Sequence, residues 1–189
     1  QGKEWDTVMN YDAFMEPVTW FLTGVSKHST EKREDMYNNA DVFWCSMIYQ
    51  MGKLPVQSLT TSMNELSNHD HSRFLTRTNM RTGRIETDGS DAAGEGIDKA
   101  VMREAVLLQM TWLGAPTVYY GDEAGLVGWT DPDNRRTYPW GKEDQEMIEF
   151  HKKAITVRKE HPVLRQGSLL HLYGEGGVIA YGRFDQKDK

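Results

Sequence analysis

The 189-residue chain is long enough for one ordinary domain with a buried core. At 11% aromatic and a net charge of -6, with no basic stripe, it is neither a disordered tract nor a nucleic-acid binder. Its single cysteine, Cys45, excludes an internal disulfide and a Cys-rich zinc site, and no apolar run approaches the roughly 20 residues that cross a membrane. Cys45 lies in Val42-Phe43-Trp44-Cys45-Ser46-Met47-Ile48 and reads as a small buried hydrophobe. The N-terminus has neither a signal-peptide pattern nor an initiator Met, so the chain reads as cut from something longer. A cytoplasmic location is favoured over a secreted one, although the lone cysteine does not settle the compartment.

In chain order, Thr7-Val8-Met9-Asn10-Tyr11 is expected to be a buried strand, followed by a helix through Phe14, Val18 and Phe21. That helix is capped by Asp12 and stopped by Gly24. A longer helix is predicted from about Thr30 to Met51. Glu31, Glu34 and Asp35 suit its N-terminal end, and Ala40, Phe43, Trp44, Met47, Ile48 and Met51 recur at helical spacing. Ser62 to Leu66 is the second strand, and the stretch from Thr82 to Gly96 is an exposed loop. Asp98 to Trp112 is a buried helix ended by Gly114 and Pro116. Thr117 to Tyr120 is the third strand, with a long loop to Lys142, and Glu143 to His161 is an amphipathic helix. Finally, two alternating runs, Ser168 to Tyr173 and Val178 to Phe184, flank a Gly-rich turn and predict a hairpin.

Alternating strand and helix imply a parallel α/β sheet. Three such units cannot close an eight-stranded barrel of about 250 residues. They suit either the C-terminal part of a (β/α)8 barrel or a small three-layer domain, with the hairpin opening a separate antiparallel β domain.

In parallel α/β folds, function gathers at the C-terminal ends of strands. Asn68-His69-Asp70 stands at one such end and Gly121-Asp122-Glu123 at another. Asn68 taken alone is a turn former. His69 beside Asp70 is equally a functional pair or a structural one. Asp122 and Glu123, being adjacent, point to opposite faces and read as structural. Asp131 and Arg135, separated by Pro-Asp-Asn, suit either a shared ligand or a loop-locking ion pair. His151, His161 and His171 are ordinary surface or core histidines.

Three ordered motifs carry a resemblance. Ser67-Asn68-His69-Asp70, then Gly114 to Glu123, then Asp131-Pro132-Asp133-Asn134-Arg135-Arg136-Thr137-Tyr138-Pro139-Trp140 resemble the α-amylase family of glycoside hydrolases (family 13), in its neopullulanase and cyclomaltodextrinase-like branch. The resemblance covers nearly the whole chain. It implies about strands six to eight of a (β/α)8 barrel over residues 1–162 and the start of an antiparallel C-terminal β domain over 163–189. By the same resemblance, Asp70 is the catalytic transition-state stabiliser, and His69, Asp131 and Arg135 bind substrate. Tyr119, Tyr120, Gly121 and Glu123 shape the eighth strand and its end. The implied activity is retaining cleavage of α-glucosidic bonds, with an α-glucan or maltooligosaccharide as partner and no nucleic acid or membrane. No metal is assigned here, and calcium is left open for the full-length protein.

The resemblance also implies what this chain lacks. The family's nucleophile lies in a Gly-x-Arg-x-Asp segment on the fourth strand and its acid/base is a Glu ending the fifth, both ahead of Gln1. Gly-x-Arg-x-Asp does not occur here, and Gly83-Arg84-Ile85-Glu86 sits in the wrong place. The isolated chain is therefore expected to be inactive and to cover its open sheet edges by self-association or by packing the long helix across them. The alternative is an amylase-like barrel that binds sugars or partners without catalysis.

Overall fold

The computed structural model describes residues 6–185. The chain enters through Met9, which forms a single parallel bridge to Met63, and turns through a π-helical segment, Tyr11–Met15, into α1 (Glu16–Thr23). There follow α2 (Ala40–Met51), α3 (Val56–Thr61), β1 (Met63–Glu65), the single turns α4 (Phe74–Arg77) and α5 (Ile85–Asp88), and α6 (Lys99–Thr111). After β2 (Ala115–Thr117) and a long loop come α7 (Gln145–Glu160), the short α8 (Val163–Gln166) and the hairpin β3 (Ser168–Glu175) and β4 (Val178–Phe184). β1 pairs in parallel with β2, Met63 opposite Ala115 and Glu65 opposite Thr117, so the backbone at Met9, β1 and β2 runs side by side in one direction. β3 and β4 are antiparallel with an irregularity between His171 and Tyr173.

Several sequence expectations shift. The expected strand at Thr7 to Tyr11 shrinks to the Met9 bridge. The Met15 N–H bonds back to Asn10 at 3.1 Å, which starts a helical turn at Tyr11, so Asp12 lies inside that turn and caps nothing. α2 begins at Ala40 rather than Thr30, because Asn39 caps it by accepting from the Val42 N–H at 3.2 Å. The charged stretch before it has no apolar stripe to bury, and it folds back through a Val25–Lys32 bridge. Cys45 is exposed, which corrects its expected burial. Ala40, Phe43, Trp44 and Met47 fill the inner face of α2, and Cys45 and Ile48 fall off that stripe. The third strand lies two to three residues early. Gln109 donates to the carbonyls of both Asn64 (2.9 Å) and Thr117 (3.0 Å), closing the ladder before Val118. Residues 82–96 are not wholly exposed, because Ala92 and Ala93 are buried with Trp129.

The elements read most accurately have both a cap and a stripe. Asp98 caps α6 and Asp144 caps α7 through side-chain acceptance of backbone N–H groups. Met102, Ala105 and Val106 of α6 join Phe14, Val18, Phe43, Leu66 and Phe74 in one core. Gly114 is required where it stands. Its φ is +131° and a Cβ there would meet the Asn64 side chain at 2.5 Å. The hairpin is seated by aromatic contact: His171 stacks on Trp44 at 4.1 Å and Tyr181 meets Trp112 edge-on at 4.8 Å. No helix among the described residues is long and apolar enough to cross a membrane.

Candidate active site

Asp70 follows β1 in a loop whose backbone is held from both sides. Asn68 is the pivot: its Oδ1 accepts the N–H groups of Asp70 (2.9 Å) and His71 (3.2 Å), a local turn of the kind Asn favours. Its Nδ2 donates to the Tyr11 hydroxyl (2.9 Å) and to Glu65 (3.1 Å). The carbonyl of Asp70 accepts from the Thr130 hydroxyl at 2.7 Å. With its peptide N–H and C=O both engaged, Asp70 presents a carboxylate that is 51% exposed, 3.3 Å from the equally open Nε2 of His69.

The loop carrying Asp131 docks against this one. Asn134, fully buried, donates through Nδ2 to the carbonyls of Asn68 (3.0 Å) and His71 (2.7 Å). Arg135 Nε lies 2.8 Å from Asp131 and also donates to the His69 carbonyl at 3.1 Å. All four expected site residues, His69, Asp70, Asp131 and Arg135, are thus gathered on one open face. Asp131 and Arg135 form an ion pair that braces the His69 backbone.

Beneath them runs a buried ionic floor. Arg73, 0% exposed, donates to Asn134 O (2.9 Å), to Tyr120 O (2.7 Å) and to Asp122 (3.0 Å), with the Tyr119 and Tyr120 rings over its guanidinium. One side chain therefore ties the Asp70 loop, the Asp131 loop and the chain leaving β2. Asp122 is structural, as expected. Burial pushes its carboxyl up, against the opposing pull of Arg73 and Ser67. Glu123 braces its own turn by accepting from the Gly121 N–H. Arg77, also buried, donates to Thr19 and to the Leu66 carbonyl, and burial lowers its pKa to about 9. Of the remaining histidines, His151 bonds back to Met147 O, His171 stacks on Trp44 and His161 lies exposed at the end of α7.

Burial also raises the pKa of Glu65 and of Tyr11, the latter with added repulsion from Glu65 and Asp70. His71, 3% exposed between Tyr11 (4.8 Å) and His28 (4.7 Å), is pushed down to about 3, first by burial and then by Arg77. Because its folded pKa lies below the unfolded 6.5, the native state prefers the neutral ring. Its contribution is complete above pH 6.5 and declines as pH falls from 6.5 toward 3, by about 1.4 kcal/mol per pH unit. Thermal unfolding between pH 7 and 4 is expected to show a shallower loss in His71→Phe than in the wild type. Parallel curves would contradict it.

Sequence reasoning missed Arg73, Asn134, Thr130, Tyr11 and His28. Each acts through a contact 47 to 102 residues away or through its ring, and local pattern carries no sign of either. Among the described residues no three His, Cys, Asp or Glu side chains converge to hold a metal ion.

A model of the α-amylase catalytic domain matches residues 3–139. The chain belongs to the α-amylase family. An amylopullulanase from Thermoanaerobacter thermohydrosulfuricus is 39% identical over 183 residues, 96% of this chain and 12% of that protein. A cyclomaltodextrinase from a Bacillus species is 31% identical across all of this chain and 29% of its own length. In native form, the debranching enzyme of Nostoc punctiforme superposes with a TM-score of 0.77 at 31% identity, covering 97% of this chain and 35% of that one. The acarbose-soaked form gives 0.73 at 29% identity. This α-amylase-family chain therefore spans only a minor part of the relatives it matches, and its mixed α/β fold is part of a catalytic domain.

Proposed function

We propose that this chain is the part of a retaining α-glucan hydrolase that carries the transition-state-stabilising carboxylate, Asp70. The supporting observation is the cradle. A half-exposed carboxylate is fixed through both of its peptide groups, with His69 at 3.3 Å and the Asp131–Arg135 pair anchored on the adjoining backbone. Retaining hydrolysis passes through an oxocarbenium-like state. A fixed carboxylate bonded to ring hydroxyls of that sugar favours the charge-bearing, distorted form over the ground state. His69 adds a donor to the same sugar, while Asp131 and Arg135 hold glucose units further along the donor side.

The backbone at Met9, β1 and β2 corresponds in this reading to strands six, seven and eight of a (β/α)8 barrel, and residues 163–189 begin the C-terminal β domain. The nucleophile and acid/base, which must stand about 5–5.5 Å apart, belong to the parent protein's preceding strands. The isolated chain, with both sheet edges open, is inactive and self-associates. The gathered His69–Asp70 and Asp131–Arg135 pairs favour an enzyme over a non-catalytic sugar-binding barrel.

Early product from maltohexaose treated with the full-length parent is expected to carry the α anomer by proton NMR, as retention demands. A β product would overturn the retaining assignment.

A further inference from the structure

Between α1 and α2 the chain forms a loop that leans on the Asp70 loop. The Lys27 carbonyl accepts both the N–H (3.1 Å) and the hydroxyl (2.9 Å) of Ser72. The Ser29 hydroxyl meets that of Ser72 at 2.8 Å, and Ser29 O accepts from the Gly83 N–H at 2.9 Å. Ser29 is fully buried at φ +55°, a conformation that surrounding contacts must hold. This packing places His28 Nδ1 3.0 Å from the Thr130 hydroxyl, the group that bonds to the Asp70 carbonyl at 2.7 Å.

Counting protons fixes the direction of this chain of bonds. A carbonyl only accepts, so the single Thr130 hydroxyl proton goes to Asp70. Thr130 then has no proton left for His28, and His28 Nδ1 must be the donor. His28 is therefore in the Nδ1–H form, and the relay runs His28 N–H to Thr130 O–H to Asp70 C=O. The ring is steadied from behind: His28 meets His71 edge-on, His71 meets Tyr11, and the Tyr11 hydroxyl accepts from Asn68, whose Oδ1 holds the Asp70 N–H. Both peptide groups of Asp70 are thus reached by one connected set of side chains.

We propose that His28 is a positioning residue for Asp70, acting through Thr130 as an Nδ1–H donor. It sets where the carboxylate stands without touching the sugar. The assignment rests on the reading of Asp70 as the transition-state stabiliser, and on no step in which His28 exchanges a proton.

The test uses the full-length parent with maltohexaose. Asparagine places an N–H donor where Nδ1 stands but loses the ring, whereas phenylalanine keeps the ring and loses the donor. His28→Phe is expected to lower kcat about tenfold with KM changed less than about twofold. His28→Asn is expected to stay within about threefold of wild type although it melts below His28→Phe. A role limited to packing predicts the reverse order in activity, because the better-packed variant would then also be the more active one. Thr130→Val is expected to match His28→Phe, Thr130→Ser to retain activity, and the double variant His28→Phe/Thr130→Val to lose about tenfold rather than a hundredfold, since both remove one relay. A His28→Asn variant no more active than His28→Phe, or a hundredfold loss in the double variant, would overturn the relay. Full activity in His28→Phe beside an inactive Asp70→Asn overturns the His28 assignment alone. Full activity in Asp70→Asn overturns the reading beneath it.

Discussion

Asp70→Asn in the full-length parent is expected to lower kcat on maltohexaose on the order of a thousandfold while leaving the thermal midpoint unchanged. The two side chains have nearly the same shape. The loop is held through the backbone N–H and C=O of residue 70 rather than through its carboxylate, so the cradle survives the change. In the proposed role, the change removes the negative charge that would face the developing positive sugar, together with the hydrogen bonds it would strengthen in the transition state. Because those interactions are made chiefly in the transition state, KM should move far less than kcat. A variant retaining more than about a tenth of wild-type kcat would remove Asp70 from the chemistry.

Arg73→Met is expected to be the most destabilising single change in the region, at about 3–5 kcal/mol, because it leaves the Asp122 carboxylate buried without its counter-charge. It also frees two carbonyls, Asn134 O and Tyr120 O, that hold the Asp131 loop and the chain after β2 in register. Removing the partner as well should restore most of the loss, since a buried ion pair replaced by apolar side chains of similar volume is often neutral. Thermal unfolding of Arg73→Met beside Arg73→Met/Asp122→Leu measures this. Equal destabilisation in both would show that the carbonyl bonds, not the uncompensated charge, dominate.

The contrast between Asp70 and Arg73 shows how far sequence carries. α6, α7 and the hairpin were legible because periodicity and a capping or turn residue agree at each: Asp98 and Asp144 accept from the backbone where the stripes begin. The start of α2 was not legible. Glu31, Glu34 and Asp35 look like a helical first turn, but the apolar stripe that makes a helix worth forming begins only at Ala40. The exposure of Cys45 is hidden for a related reason, since an apolar run fixes burial only after its phase on the helix is known. The candidate residues His69, Asp70, Asp131 and Arg135 stand out in sequence because they cluster in two short stretches, and the fold brings those stretches together. What fixes them does not stand out in this way. Asn134 reaches back to His71, Thr130 to Asp70 and His28 across to Thr130, and each partnership exists only once the strands are side by side.

We propose that Asp70 is one of three essential carboxylates and that the other two belong to parts of the parent protein outside these residues. The most direct measurement is turnover of maltohexaose by the purified 189-residue chain, under conditions where its far-ultraviolet circular dichroism shows the helices of the fold. No release of shorter sugars above the uncatalysed background is expected. Turnover by the chain that is abolished by Asp70→Asn would contradict it, because a complete catalytic set would then lie within these residues.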